Sequence, residues 1–244
     1  MNNFMIYNIF GITFYDISFN KFCKMKSTGL IVLPSGPGLS TIDKDKIYHK
    51  SIQNADMALF DSGYFVLLLS LIKGLSVSKF SGYKFFKLFL NYNRNKKIFV
   101  VETNEQSAVI NRKYLKKFNI NVKSRQYIAP FYKKNSYIRD TSLLKILKRI
   151  KPKIILINLG GGTQEVLGSY LKNNLNYKPQ IICTGAAISY FTKEQAPMTD
   201  FFDNLYLGWL IRCIFNPAIF VPRYLSAFKL ILHVWKSKIR IKKK

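Results

Sequence analysis

The sequence predicts an α/β fold of the Rossmann type, a mostly parallel sheet flanked by helices, with a C-terminal basic amphipathic helical appendage. Three observations predict it. Short continuous apolar runs alternate with stretches of helical spacing, the pattern of strands covered on both faces by crossover helices. A glycine lies just beyond the runs at 154–158 and 181–184, where a strand must release the chain into a loop. After residue 197 the pattern changes, and bulky apolar residues interleave with Arg212, Arg223, Lys229, Lys236 and Lys238. The expected division is a core over residues 1–196 and a membrane-associating appendage over residues 197–244.

In chain order, residues 30–33 (LIVL) read as a strand that opens into the loop from Pro34 to Ser40. A helix is expected next, with Thr41 or Ser40 as N-cap and Asp43 and Asp45 in its first turn, where the helix dipole favours acids. Residues 57–60 read as a strand, 64–73 as a helix and 97–101 as a strand followed by a polar turn. Residues 105–118 then place Val109, Ile110, Tyr114, Leu115 and Phe118 near helical spacing. Strands follow at 154–158 and 181–184. Residues 201–215, 218–225 and 226–244 read as consecutive helical segments, punctuated by Asn216-Pro217 and Pro222.

Composition narrows the function classes. A chain of 244 residues with 48% hydrophobic and 15% aromatic residues can build a core and is not generally disordered. Its formal net charge of +27, from 39 basic against 12 acidic residues, calls for a polyanionic partner: nucleic acid, anionic lipid or sugar phosphate. The charge thickens at the end, where Lys229 to Lys244 holds seven basic residues and no acid. Cys23, Cys183 and Cys213 are odd in number and far apart, which predicts neither a disulfide framework nor a zinc site and fits a reducing cytosol. His49 and His233 have no ligand-spaced partner. The start of the chain lacks the basic n-region of a signal peptide, and no apolar stretch reaches the ~20 residues of a spanning helix. The expectation is a peripheral protein on the inner face of the plasma membrane.

The decapeptide NADMALFDSG, residues 54–63, sets Asp61 at the end of a short apolar run and before a Ser-Gly turn. A carboxylate there stands where open α/β sheets bind ligands, outside the strand ends. It is equally placed to cap the helix that follows. Asp56, before the apolar run, suits a structural role, bonding backbone amides. The loop from Gly160 to Gln164 (GGGTQ) leaves a strand and opens a helix, so its backbone can approach an anion at a helix N-terminus. It matches neither a dinucleotide fingerprint nor a Walker motif, and no cofactor is expected. Asp43-Lys44-Asp45 matches a D-x-D metal motif in form, but the helix dipole alone accounts for the acids, so no metal is expected. No recognised nucleic-acid motif appears, which leaves a basic nucleic-acid-binding module as an alternative that explains only the charge.

Three blocks in order, NADMALFDSG, LINLGGGTQE at 156–165 and LGWLIRCIFNPAIFVPRYL at 207–225, resemble the WecG/TagA/CpsF family of bacterial glycosyltransferases. The resemblance spans residues 31–225. Its first signature matches at Asp61 with one residue more before the glycine. Its second matches at Leu159, Gly160, Gln164 and Glu165, with Gly162 where proline is usual. Its third runs through Trp209, Leu210, Arg212, Pro217, Arg223, Tyr224 and Leu225.

The resemblance implies metal-free, inverting transfer of an N-acetylmannosamine-type sugar from a UDP donor to a polyprenyl-diphosphate-linked acceptor. It implies Asp61 as catalytic base, Gln164 as a donor-site residue, and Arg212 and Arg223 as phosphate-gripping residues of the tail; snorkelling or headgroup contact stays open for both arginines. Lys79, in KFSG, stands where the family has arginine, keeping the charge without the bidentate fork. Ser35 falls near the asparagine of the family's T-P-N loop, here altered to LPSGPGLS. That alteration keeps alive a non-catalytic member that docks other glycan-assembly enzymes, and a homo-oligomer is also open.

Overall fold

A computed structural model describes residues 4–25, 27–192, 194–195 and 198–243; the boundary expected at 196/197 lies outside them. Among the described residues nine strands form one sheet: β1 (Met5–Ile9), β2 (Ile12–Asp16), β3 (Gly29–Val32), β4 (Met57–Leu59), β5 (Ile98–Glu102), β6 (Gln126–Ile128), β7 (Ile154–Ile157), β8 (Gln180–Cys183) and β9 (Arg240–Lys243). Their order is β6-β5-β7-β8-β3-β4-β2-β1-β9. The seven strands from β6 to β2 pair in parallel, and β1 and β9 add antiparallel. This is the expected mostly parallel α/β sheet.

The central strands alternate strictly between two cores. Leu30, Val32, Ala58, Phe99, Val101, Ile155, Ile157 and Ile181 enter one; Ile31, Met57, Leu59, Ile98, Val100, Leu156 and Ile182 enter the other. The first is covered by helices Lys46–Gln53, Gly63–Lys73, Thr141–Ile150, Thr163–Asn174 and Lys229–Lys236, the second by Phe19–Lys24, Gly82–Tyr92 and Glu105–Lys116. Gly168 lets helix Thr163–Asn174 lie close on the sheet: a Cβ there would come within 2.6 Å of Leu30 Cδ1.

The structure departs from expectation in four places. Loop 34–40 contains a turn of helix, Gly36–Leu39, capped by Ser35, whose hydroxyl accepts from Gly38 N. The following helix starts at Lys46 and its N-cap is Asp45, not Ser40 or Thr41; Asp43 sits in the preceding turn. The end of the chain is not helix throughout: after Lys236 it crosses to the sheet as β9 and pairs with β1, Tyr7 opposite Ile241. Finally, the helical pieces either side of Phe228 run together, so Pro217–Lys236 is a 20-residue helix long and apolar enough to cross a membrane, where no such stretch was expected. Only 17% of it is buried, yet Ala227, Leu230 and Val234 pack into the sheet domain and β9 returns to the sheet edge directly afterwards. The hairpin β1–β2, strand β6 and helices Gly82–Tyr92 and Thr141–Ile150 add to the elements the sequence predicted.

Candidate active site

Because β3, β4, β7 and β8 run parallel, their C-terminal ends open on the same edge of the sheet. The loops that leave them line one cleft of about 490 Å³. Residues 203–226 wall it on one side, and the loop 133–138 also lines it. The structure brings Ser35, Asp61, Lys79, Gly160, Gln164, Arg212 and Arg223 together in this lining.

Asp61 follows β4 on the cleft floor. The cap of the next helix is supplied by Ser62, whose Oγ accepts from Phe65 N at 3.2 Å, so Asp61 is released from that task. Asp61 Oδ1 instead accepts from Gly82 N at 2.5 Å. Its carboxyl is raised above the usual range by burial, against the lowering pull of the Gly82 amide and the positive charges of Arg212 and Lys79. Oδ2 accepts no hydrogen bond among the described residues, and such a carboxylate can take a proton from a bound hydroxyl. Gly63 must be small: a Cβ there would lie 2.5 Å from the Tyr206 ring, which stands over the start of the helix.

Asp56 does different work. Its Oδ2 accepts from Leu30 N at 2.8 Å and pairs with Lys172 at 2.9 Å, tying the start of β4 to β3 and to helix Thr163–Asn174. Asn54 adds bonds to Ser169 and Asn173 of the same helix.

The glycine loop is held by its own acids and amides. Glu165, buried, accepts from Gly162 N at 2.7 Å and from Gln164 Nε2 at 3.0 Å. Burial pushes its carboxyl up to about 7. Gln164 Oε1 accepts from Gly185 N at 2.7 Å, joining the loops after β7 and β8. The helix N-terminus expected to face an anion is therefore already met by a carboxylate of the protein.

Lys79 is likewise engaged. Its Nζ donates to Asp203 Oδ1 at 2.9 Å and to Asp203 O at 2.6 Å, and lies 4.7 Å from the centre of the Tyr206 ring. Arg212 donates to Tyr224 OH at 3.3 Å and stacks on Tyr190, while its buried Nε has no partner among the described residues. Arg223 is exposed and lies over Phe220. Asp45 Oδ1 is held by Tyr48 N and Asp43 faces His233 at 3.7 Å. No group of three or more His, Cys, Asp or Glu gathers as a metal site among the described residues.

Sequence reasoning missed Gly82, Asp203, Tyr206 and the loop residues Lys133 to Ser136. Gly82 was within reach, since it closes the KFSG motif; the others depend on tertiary placement. A family model described as the Glycosyl transferase WecG/TagA/CpsF family matches residues 7–244, and the chain belongs to that family. Membership implies glycosyltransferase activity in cell-surface polysaccharide synthesis. No curated protein matches the chain.

Proposed function

We propose, from this membership, that the chain is an inverting, metal-independent transferase. It moves an N-acetylmannosamine-type sugar from a UDP donor to a polyprenyl-diphosphate-linked acceptor at the inner face of the plasma membrane. The observation that carries the reading is Asp61: a half-buried carboxylate of raised pKa on the cleft floor, held through one oxygen and not used as a helix cap. As the acceptor hydroxyl attacks the anomeric carbon, Asp61 Oδ2 takes its proton. The bond from that carbon to the UDP oxygen breaks with its electron pair on UDP. One displacement gives inversion.

Gln164 and the loop it braces position the donor. Ser35 shapes its loop through the cap it makes, and Lys79 and Arg212 add positive potential at the site. Anchoring comes from residues 208–236, whose exposed Trp209, Ile214, Phe215, Phe228 and Trp235 accompany the basic chain end. The test incubates purified protein with membranes and a panel of UDP-sugars and follows labelled lipid product, with and without EDTA. Product from a UDP-N-acetylmannosamine-type donor, undiminished by EDTA, is expected. Loss in EDTA restored by Mn²⁺ would promote Asp43 and Asp45, and no product with any donor would sink the reading.

A further inference from the structure

Two of the phosphate contacts that the sequence suggested, Lys79 and the glycine loop, are already met by the protein's own acids. Lys79 is paired with Asp203, and Gly162 N–H is taken by Glu165. Arg212 and Arg223 hold positive charge in the C-terminal wall, and a diphosphate can draw further positive charge from elsewhere in the cleft. The loop after β6 supplies it. Lys133 and Lys134 line the cleft, are exposed, and make no ion pair or side-chain hydrogen bond with any described residue. Between Gln106 and Arg139 the sequence contains no acid that could claim them.

The loop is also fixed. Tyr132 OH and Tyr127 OH both donate to the buried Asp140, at 2.6 and 2.8 Å, and Asp140 caps helix Thr141–Ile150 through Leu143 N. Ser136 Oγ closes the turn on Lys133 O at 2.6 Å, with Asn135 in the left-handed region at φ 55°. A turn so braced carries two lysines without having to order its backbone on binding, and the two charges together favour a multiply charged anion over a single carboxylate.

We propose that Lys133 and Lys134 form a diphosphate-binding edge of the cleft. The inference rests on the reading of the cleft as a transfer site for its two candidate sources, the nucleotide diphosphate of the donor and the lipid-linked diphosphate of the acceptor. The geometry supplies the shared chemistry, and the arms of the test separate the sources.

Calorimetric titration of the full-length protein with pyrophosphate, with UDP and with a short water-soluble prenyl diphosphate reads the site without turnover. The double variant Lys133→Ala/Lys134→Ala should bind pyrophosphate at least roughly tenfold more weakly. The loss should carry over to UDP if the edge serves the donor, and to the prenyl diphosphate if it serves the acceptor. Lys145→Ala/Lys148→Ala removes the same charge from an exposed helix and should bind as the parent does. Undiminished binding by the first variant, equal loss in both, or no pyrophosphate binding by the parent would overturn the proposal. A cleft that binds pyrophosphate through these lysines but transfers no sugar would sink the function above and leave the site. Undiminished transfer and binding in the variant would do the reverse.

Discussion

The floor of the cleft and its C-terminal wall are built on opposite terms. On the floor, Asp61 and Gln164 are each held by a backbone amide of a neighbouring loop and Glu165 by the Gly162 amide of its own, at 2.5 to 2.7 Å. In the wall, Trp209, Ile214, Phe215, Ile219 and Phe228 stand exposed and Arg212 Nε lies buried without a partner among the described residues. A buried donor without an acceptor is disfavoured, and so is an apolar face left in water. The floor is braced as folded, with only Asp61 Oδ2 left open, whereas the wall holds groups that a ligand and a lipid surface would satisfy.

The sharpest way to break the comparison is on the floor. Asp61→Asn keeps an oxygen for Gly82 N but loses the base, so transfer should fall by about 10³-fold or more with the melting temperature unchanged. Asp56→Asn should show the converse, near-parental transfer with about 1 kcal/mol less stability, because its exposed pair with Lys172 and its bond to Leu30 N are structural. Turnover by Asp61→Asn within a few-fold of the parent would end the base assignment.

In the wall the effects should be smaller and should depend on the acceptor. Arg212→Ala removes charge that acts on the Asp61 site, and should lower turnover by roughly 10²-fold even on a water-soluble acceptor. Arg223→Ala, out at the exposed rim, should matter mainly on membranes; equal losses on both acceptors would place both arginines on phosphate. Ile214→Ser with Phe215→Ser and Phe228→Ser should weaken pelleting with anionic liposomes about tenfold while sparing the soluble assay. Substitution is the cleaner probe here than truncation after Lys193, which lies outside the described residues. Truncation would remove Leu230 and Val234 from the core and β9 from the sheet.

How much of this was legible in the sequence follows the same division. Central strands are continuous apolar runs, so β3, β4, β5, β7 and β8 could be read from composition alone. Tyr7, Ile9, Ile12 and Phe14 of the hairpin β1–β2 alternate with less buried residues, a weaker signal in five-residue strands. Strand β9 was opaque, since Arg240 to Lys243 has one apolar residue in four and is a strand only because β1 offers it an edge. Asp61 was legible from its motif, but not its release from capping, which rests on Ser62 standing one residue later. The engagement of Lys79 by Asp203 was out of reach, because 124 positions separate them.

A pH dependence tests the floor from beneath. Glu102, at the end of β5, is buried and accepts from Asn111 at 2.9 Å, Asn158 at 3.2 Å and Gln126 at 3.4 Å. Burial outweighs those donors and pushes its carboxyl from 4.5 to about 7. The folded protein therefore keeps a proton that the unfolded chain has lost over this interval. Stability should decline as pH rises from about 4.5 to about 7 and level off above, by at most on the order of 1.4 kcal/mol per pH unit for each such group. Glu165, also pushed up to about 7, should contribute a second share of the same sign. Glu102→Gln cannot titrate, so denaturant melts across that window should fall less steeply than the parent's. Arg223→Ala, a change at the exposed rim of the wall, should leave the slope as it was. An unchanged slope in Glu102→Gln would mean that the carboxyl is ionised when folded, and that its three amide donors outweigh its burial.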